Sequence, residues 1–468
     1  MTKRGLSAVI LLLSVAFVLL LGPHIYRALT AQSIPFGEES YYHMRIARSI
    51  LQGSIPASDT LVYNSRPYFF GPFHVILAFA SVPLGIELAS VALPVLFGML
   101  SLFFFYMILG KFGVSRIRRL VICTLLVSSP AFIGTFSQPS PHALAIPIYL
   151  VGFYALLHRR TEIFAFVVLA SAIMFGFFNS LLLLVLLLGH YTAESKRKLF
   201  FLAIFVLSFI FALIYYVMVF SPVLPASVLS GLVSDFGGSG FGIFLLILAA
   251  AGLAFSWKEK YIYMLPYYLL LFLLTSLFFS GSFVIAYLAF VVALFAGEGF
   301  CRITGMEWRV SLIKSLTILI VVAGLSFSSA SYLGRLSHSG PDHDIIRSLS
   351  WLRQQPQGIV FSHYSNGFWI EYFAEKPVLL DGFLVSDLKN RYSDSQEIFY
   401  SRNIGKTRKL LDKYNVRYIF IDESMKKGNV WRREDEGLLF VLRNRESFRK
   451  VFDTESIQVW EYKGNYAS

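Results

Sequence analysis

The run Glu38-Glu39-Ser40-Tyr41-Tyr42-His43-Met44-Arg45-Ile46-Ala47-Arg48 gathers two carboxylates, an imidazole and two guanidinium groups in one short stretch. Glu39 and His43 are four apart and share a helix face, which suits a divalent cation; Arg45 and Arg48, a turn further on, suit a phosphate. The same pattern describes an interfacial amphipathic helix whose acids sit at its N-terminus and whose arginines face headgroups. Other candidates are scattered. Arg66, near Tyr63 and Tyr68, could touch a lipid phosphate or snorkel to headgroups. His142 opens an apolar run behind two prolines, as a functional or an interfacial side chain. Asp235, in the Gly-rich stretch SDFGGSGFG, reads as an acceptor-binding or catalytic acid or as a turn residue. His363, Asp381 and Asp422 each follow a strand-like piece, where ligands gather in α/β sheets.

Composition indicates what must position these residues. Apolar residues make up 56% of the 468 and charged ones 15%, and the mean hydropathy is +0.64. Those values exclude a disordered or ordinary soluble chain and indicate an integral membrane protein in a lipid bilayer. Two cysteines, Cys123 and Cys301, leave neither a disulfide framework nor a Cys-ligated zinc site. The net charge is +13, but residues 1–332 hold 20 of the 41 Lys+Arg and only 10 of the 28 Asp+Glu. Basic residues between apolar runs act as topology signals, so no nucleic-acid partner is expected.

A membrane-spanning helix needs roughly 20 apolar residues. Eleven runs qualify, starting near Leu6, Leu88, Leu120, Ala143, Ile163, Asn179, Leu199, Phe241, Tyr261, Ser282 and Leu312. With a cytoplasmic N-terminus, all but Arg27, Arg45, Arg48 and Arg66 of the basic residues before 333 fall on inner loops. Those four lie in or beside one long outer loop, residues 31–87. Parity asks Ile163 to His190 to form two short helices broken at Asn179-Ser180. Leu6 to Leu21 could instead be the core of a signal peptide.

The predicted architecture is a polytopic α-helical domain over residues 1–332 and a soluble, extracytoplasmic α/β domain over 333–468, in a multi-pass protein of the cell membrane. In the tail, a helix after Asp342 precedes the strand Gly358 to Ser362, an amphipathic FWIEYF, the strand PVLL, the helix TRKLLDKY, the strand RYIFI, and LLFVLR and SIQVWEY.

Glu39-Ser40-Tyr41-Tyr42-His43-Met44-Arg45 resembles the acid-x-aromatic-Tyr-His-Leu-Arg signature after the first span of oligosaccharyltransferase catalytic subunits. Those enzymes have the C-type glycosyltransferase fold. A second stretch, Ser362 to Ile370 followed by Lys376-Pro377-Val378 and Asp381-Gly382, is similar to the family's Trp-Trp-Asp-Tyr-Gly-x-Trp-Ile segment with its Arg-Pro-Val and Asp-Gly. Here His363 and Tyr364 stand for the tryptophans, Ser365 for the aspartate and Asn366 for the tyrosine. The family's second acidic motif is replaced by Ser137-Gln138-Pro139-Ser140-Pro141-His142, and its acceptor-holding loop by Ser227 to Ser230, with Asp235 further on.

The resemblance implies a glycosyltransferase acting on a polyprenyl-phosphate- or polyprenyl-diphosphate-linked sugar at the outer leaflet, with a protein or glycan acceptor. Glu39 and Glu38 take the catalytic role, Arg45, Arg48 and Arg66 the donor phosphate, and His363, Tyr364, Asn366 and Asp235 the acceptor. A divalent cation, Mg or Mn, would draw on Glu39, His43 and His142. The competing expectations are a non-catalytic relative acting as a glycan- or partner-binding scaffold, and a transporter. The near absence of charge inside the apolar runs speaks against the transporter.

Overall fold

The computed structural model describes residues 3–30, 32–68, 71–158, 161–193, 210, 231–257, 264–383 and 388–464. The chain divides into two compact units. One holds Met1–Arg27 and most of the chain from Gly71 to His338; the other joins Ala28–Phe70 to Ser339–Ser468. The outer loop expected over 31–87 is thus split, because Pro72–Leu84 forms an apolar helix of the first unit.

The first unit is a bundle of apolar helices. Among the described residues, Leu6–Leu29, Ile86–Lys111, Val284–Gly305 and the helix starting at Ser311 are long and apolar enough to cross a membrane. Arg116–Val127 and Pro130–Ser137 make a further candidate bent by 64°. Several of the eleven expected spans are shorter helices, among them Pro141–Leu156, Glu162–Ser171 and Ile243–Ser256. The span expected near Leu199, and the basic residues Arg159, Arg160, Lys196 to Lys198, Lys258 and Lys260, lie outside the described residues. Ile163 to His190 does form two helices, but the break falls earlier than Asn179. A 3-10 turn, Ala172–Phe175, leads to Gly176 at φ 119°, a left-handed conformation open to glycine, and Phe177–Ala193 starts after it.

Val284–Gly305 is the most buried of the spanning helices. It packs against Ile243–Ser256 at backbone distance, because a methyl group at Gly252 would collide with the Phe295 carbonyl and one at Gly299 with the Leu248 carbonyl. Along Leu6–Leu29 and Ser311–His338, side chains such as Leu11, Val18, Leu319 and Phe327 are exposed, as expected of lipid-facing surface.

The second unit is built on a mixed sheet. Strands β1 (Ser58–Asp59) and β2 (Arg66–Pro67) form a small antiparallel ribbon. Strands β3 (Ile359–Phe361), β4 (Val416–Ile421), β5 (Phe448–Asp453) and β6 (Gln458–Tyr462) run in the order β3-β4-β6-β5, with only β3 and β4 parallel. PVLL does not form a full strand. Val378 bridges Val360 on one side and Val62 on the other, so the loop before the first-unit helices extends the sheet edge. LLFVLR begins within the helix Gly437–Val441, and FRKVFD, outside the expected pieces, supplies β5. Asp342 caps the helix His343–Arg353 through Ile345 N. The core runs from Phe361 and Leu379 through Ile419 and Ile421 to Trp431 and Phe448.

The close helix approach gives a stability test. Gly252→Val should force Ile243–Ser256 away from Val284–Gly305 at a cost of about 1–3 kcal/mol, read as a lower melting temperature in detergent. An unchanged melting curve would show that the two helices do not meet at this glycine.

Candidate functional site

Glu38–Leu51 is one helix, started by Gly37 at φ 80° with both glutamates in its first turn, where the dipole favours negative charge. The Ser40 hydroxyl donates to the Phe36 carbonyl and the Tyr41 hydroxyl to Pro35, which pins the entry to the helix. Ser40 to Met44, Ile46 and Ala47 are buried, and the two tyrosines pack on the tail. Tyr42 meets Phe368 and Phe383 with ring centroids 5.5 and 4.7 Å apart, and Tyr41 meets Tyr372 and Phe373. FWIEYF, expected to be amphipathic, is buried along most of its length as a helical turn, Gly367–Trp369, running into a π-helix, Ile370–Ala374.

Two of the arginines expected at a phosphate are engaged by carboxylates. Arg45 makes a bidentate pair with Asp59 at 2.7 and 2.9 Å and donates to Glu371 at 2.8 Å. Arg66 donates to Asp59 and Asp381, both at 2.7 Å. Burial opposes ionisation of Asp59, yet Arg45 and Arg66 bring its carboxyl below the ordinary range. Burial drives Glu371 well above that range, and Asp381 and Asp59 push the same way against Arg45 and Arg66. Three carboxylates thus face two guanidinium groups. The Glu371 Oε1 is buried without a partner. Arg48 differs: it donates to the Tyr372 hydroxyl at 2.5 Å and stacks 4.5 Å over that ring, with no carboxylate in contact among the described residues.

Glu38 and Glu39 lie beside the acids of the tail. Burial raises the Glu38 carboxyl from 4.5 to about 8, with Glu39 and Asp422 adding to the shift. Burial, then Asp381, raises the Glu39 carboxyl, although the residue as a whole is exposed. A methyl group at Gly382 would stand 3.6 Å from Glu38 Oε2. His363 and Tyr364 belong to the same neighbourhood: the charge of Asp422 acts on His363, and that of Glu38 on Tyr364. The His363 Nδ1 pairs with the Ser365 hydroxyl at 2.7 Å, and its ring lies 4.1 Å from Tyr364. Asn366 is buried, with its amide nitrogen on the Ser362 hydroxyl and the Met425 sulfur and its oxygen without a partner.

Two expected site residues belong to the helical bundle. Asp235 accepts from Ile243 N at 2.8 Å and from the Ser328 hydroxyl at 2.6 Å, so it caps the helix Ile243–Ser256 and ties it to Ser311–His338. His142 stacks on Phe283 and pairs with Tyr287. Asp59 and Glu371 went unmarked as site residues. The signal for Glu371 was a lone acid inside an apolar aromatic run.

No protein-family model and no curated protein sequence matches the chain. Solved structures do match. The Archaeoglobus fulgidus oligosaccharyltransferase in its apo form aligns with a TM-score of 0.64 and 12% identity over 91% of this chain and 70% of its own. ArnT from Cupriavidus metallidurans, bound to undecaprenyl phosphate, aligns over 98% of both chains with a TM-score of 0.57 and 12% identity. The chain has the C-type glycosyltransferase fold. A further C-type structure, archaeal AglB from A. fulgidus with an inhibitory peptide and a dolichol-phosphate, aligns with a TM-score of 0.60 and 12% identity over 91% of this chain and 70% of its own.

A metal fits the C-type frame of this chain poorly. Of the expected ligands, Glu39 is exposed, His43 is buried against Tyr42, and His142 is held by Tyr287 and Phe283. Asp59, Glu371 and Asp381 do bring one oxygen each within 4.8 Å of the others, a spacing that could hold a cation. The guanidinium groups of Arg45 and Arg66 already fill it.

Arg45→Met should leave Asp59 short of one partner and Glu371 of its one partner among the described residues, costing about 3–5 kcal/mol in a detergent melt. A loss below about 1 kcal/mol would mark the pairs as solvent-screened. Glu38 gives a pH signature. Its folded carboxyl binds the proton more tightly than the unfolded one, so its effect on stability worsens as pH rises from 4.5 to about 8 and is level beyond. The melting temperature of Glu38→Gln should therefore gain on the wild type through that window; parallel pH curves would contradict the burial of Glu38.

Proposed function

We propose that the chain is an integral-membrane glycosyltransferase that takes a sugar from a polyprenyl-phosphate or polyprenyl-diphosphate donor at the outer leaflet and passes it to a protein or glycan acceptor. The C-type fold, common to ArnT with its undecaprenyl phosphate and AglB with its dolichol-phosphate, supports the lipid-linked donor. The observation that carries the reading is the carboxyl pair Glu38–Glu39 beside Asp381, Asp422 and Tyr364, with Glu38 raised to about 8 and Glu39 raised by burial and Asp381.

In this mechanism the acceptor attacks the anomeric carbon as the bond to the phosphate oxygen breaks, and the polyprenyl phosphate leaves with the electron pair. A base takes the acceptor's proton. Glu38, with a pKa of about 8, is a stronger base than an ordinary carboxylate and still partly ionised at neutral pH. Glu39 orients the acceptor or shares the proton. Arg48, the one arginine of the helix without a carboxylate partner among the described residues, steadies the leaving phosphate. The reading places the N-terminus in the cytoplasm and the tail outside it. The scaffold alternative draws support from the guanidinium-filled acid triad and the acid-free stretch Ser137 to His142.

Membranes containing the protein, given labelled polyprenyl-phosphate sugars with and without chelator, provide the test. The wild type should transfer label, and Glu38→Gln and Glu39→Gln should lower the rate by about 10²–10⁴-fold at unchanged abundance. Full activity in both variants would remove the pair from the mechanism. Binding of the donor without turnover in the wild type would favour the scaffold, and loss of transfer with chelator would call for a cation.

A further inference from the structure

A second group of buried polar side chains lies wholly within the helical bundle, and its hydrogen bonds have a definite direction. The Asn179 amide nitrogen donates to the Phe175 carbonyl at 3.0 Å, in the 3-10 turn before Gly176, which determines how the amide points. Its Oδ1 therefore meets the Tyr287 hydroxyl, which donates to it at 2.9 Å. A phenol has one proton. With that proton on Asn179, the Tyr287 oxygen can only accept from His142 Nδ1, 3.1 Å away, so Nδ1 carries the hydrogen. The relay is held at both ends: the Tyr149 hydroxyl donates to the Asn179 carbonyl at 2.5 Å, and the His142 ring lies flat on Phe283, 4.2 Å between centroids at 5°. His142 Nε2 has no partner among the described residues, and the ring keeps partial exposure while Asn179 and Tyr287 are buried.

We infer that Tyr287 and Asn179 are positioning residues that fix His142 as the Nδ1–H imidazole and present Nε2 as a lone-pair acceptor for a hydroxyl of the substrate. The inference rests on the transferase reading for its substrate and on the hydrogen bonds alone for its tautomer. A free histidine side chain prefers its proton on Nε2, so the relay selects the less common form, which apolar packing alone would not require. His142 sits in the first turn of Pro141–Leu156, behind Ser140, whose hydroxyl caps that helix. When Nε2 accepts a hydroxyl's hydrogen bond, Nδ1–H continues to donate to Tyr287, and the relay needs no rearrangement.

The tautomer can be read without turnover, from the nitrogen resonances of full-length protein labelled at histidine, with His142→Gln identifying the His142 signals. The wild type should show Nδ1–H and a bare Nε2. Tyr287→Phe keeps the ring but loses the oxygen and should move the signals toward Nε2–H; Asn179→Leu, breaking the relay one step further on, should do the same. A wild type in the Nε2–H form, or no change in either variant, overturns the relay. In the transfer assay Tyr287→Phe should lower kcat about tenfold with little change in KM for the donor, and equal kcat would overturn the role in the reaction. The His142→Ala loss should vanish with a deoxy donor if Nε2 meets a donor hydroxyl and persist if it meets the acceptor's. A wild type without transfer, but with the expected tautomer, would defeat the transferase reading and leave the relay standing.

Discussion

The ion network of Arg45 and Arg66 with Asp59, Glu371 and Asp381 is the constraint on which the rest of the second unit depends. Removing five ionisable groups from water is expensive, and apolar residues of like volume often do as well for stability. What the network adds is register. The bidentate contact of Arg45 with Asp59, and its third bond to Glu371, admit one rotation of the helix Glu38–Leu51 against the tail. Turned by a single residue, that helix would carry Arg45 away from Asp59 and Glu371 and take Tyr42 from Phe368. The network therefore sets where Glu38 and Glu39 point.

A second consequence concerns charge. With Arg45 and Arg66 committed to carboxylates, the charges that act on the glutamates among the described residues are negative, Glu39 and Asp422 on Glu38 and Asp381 on Glu39. Crowding of like charges in a poorly solvated place favours a retained proton, as in paired acids generally. The same residue types, had Arg45 swung toward Glu39, would have made an ordinary surface pair with little basicity. The reactivity proposed for Glu38 is thus a product of where the arginines are not.

Much of this was legible in the amino-acid order. The apolar runs, the helix beginning at Glu38, the strand before Asp422 and the closing strand at Gln458–Tyr462 all announce themselves through periodicity or β-branched content. The misreadings have local causes. Asn179-Ser180 looked like the break between two helices because polar residues interrupt apolar ones; Gly176 takes that place, and both polar side chains bond back to carbonyls one turn earlier. PVLL, expected as a strand, is held through single bridges from Val378 to Val360 and Val62. The partners of Arg45 and Arg66 could not be read at all. Asp59, Glu371 and Asp381 meet only through the fold, and an arginine spaced for a phosphate is equally spaced for a carboxylate.

Each unit carries one group whose charge state suits an anionic donor. A polyprenyl phosphate is an anion, and an ionised carboxylate facing it would oppose binding by Coulomb repulsion that grows as water is excluded. Burial and acidic neighbours raise Glu38 to about 8, so it meets such a donor mostly as the neutral acid, and only the ionised fraction, once that proton has left, can take the acceptor's. His142, an imidazole whose one hydrogen is directed at Tyr287, offers Nε2 as an acceptor with no charge to repel the donor. In the stretch Ser137 to His142, which holds no carboxylate, the acceptor offered to a ligand is thus an uncharged one.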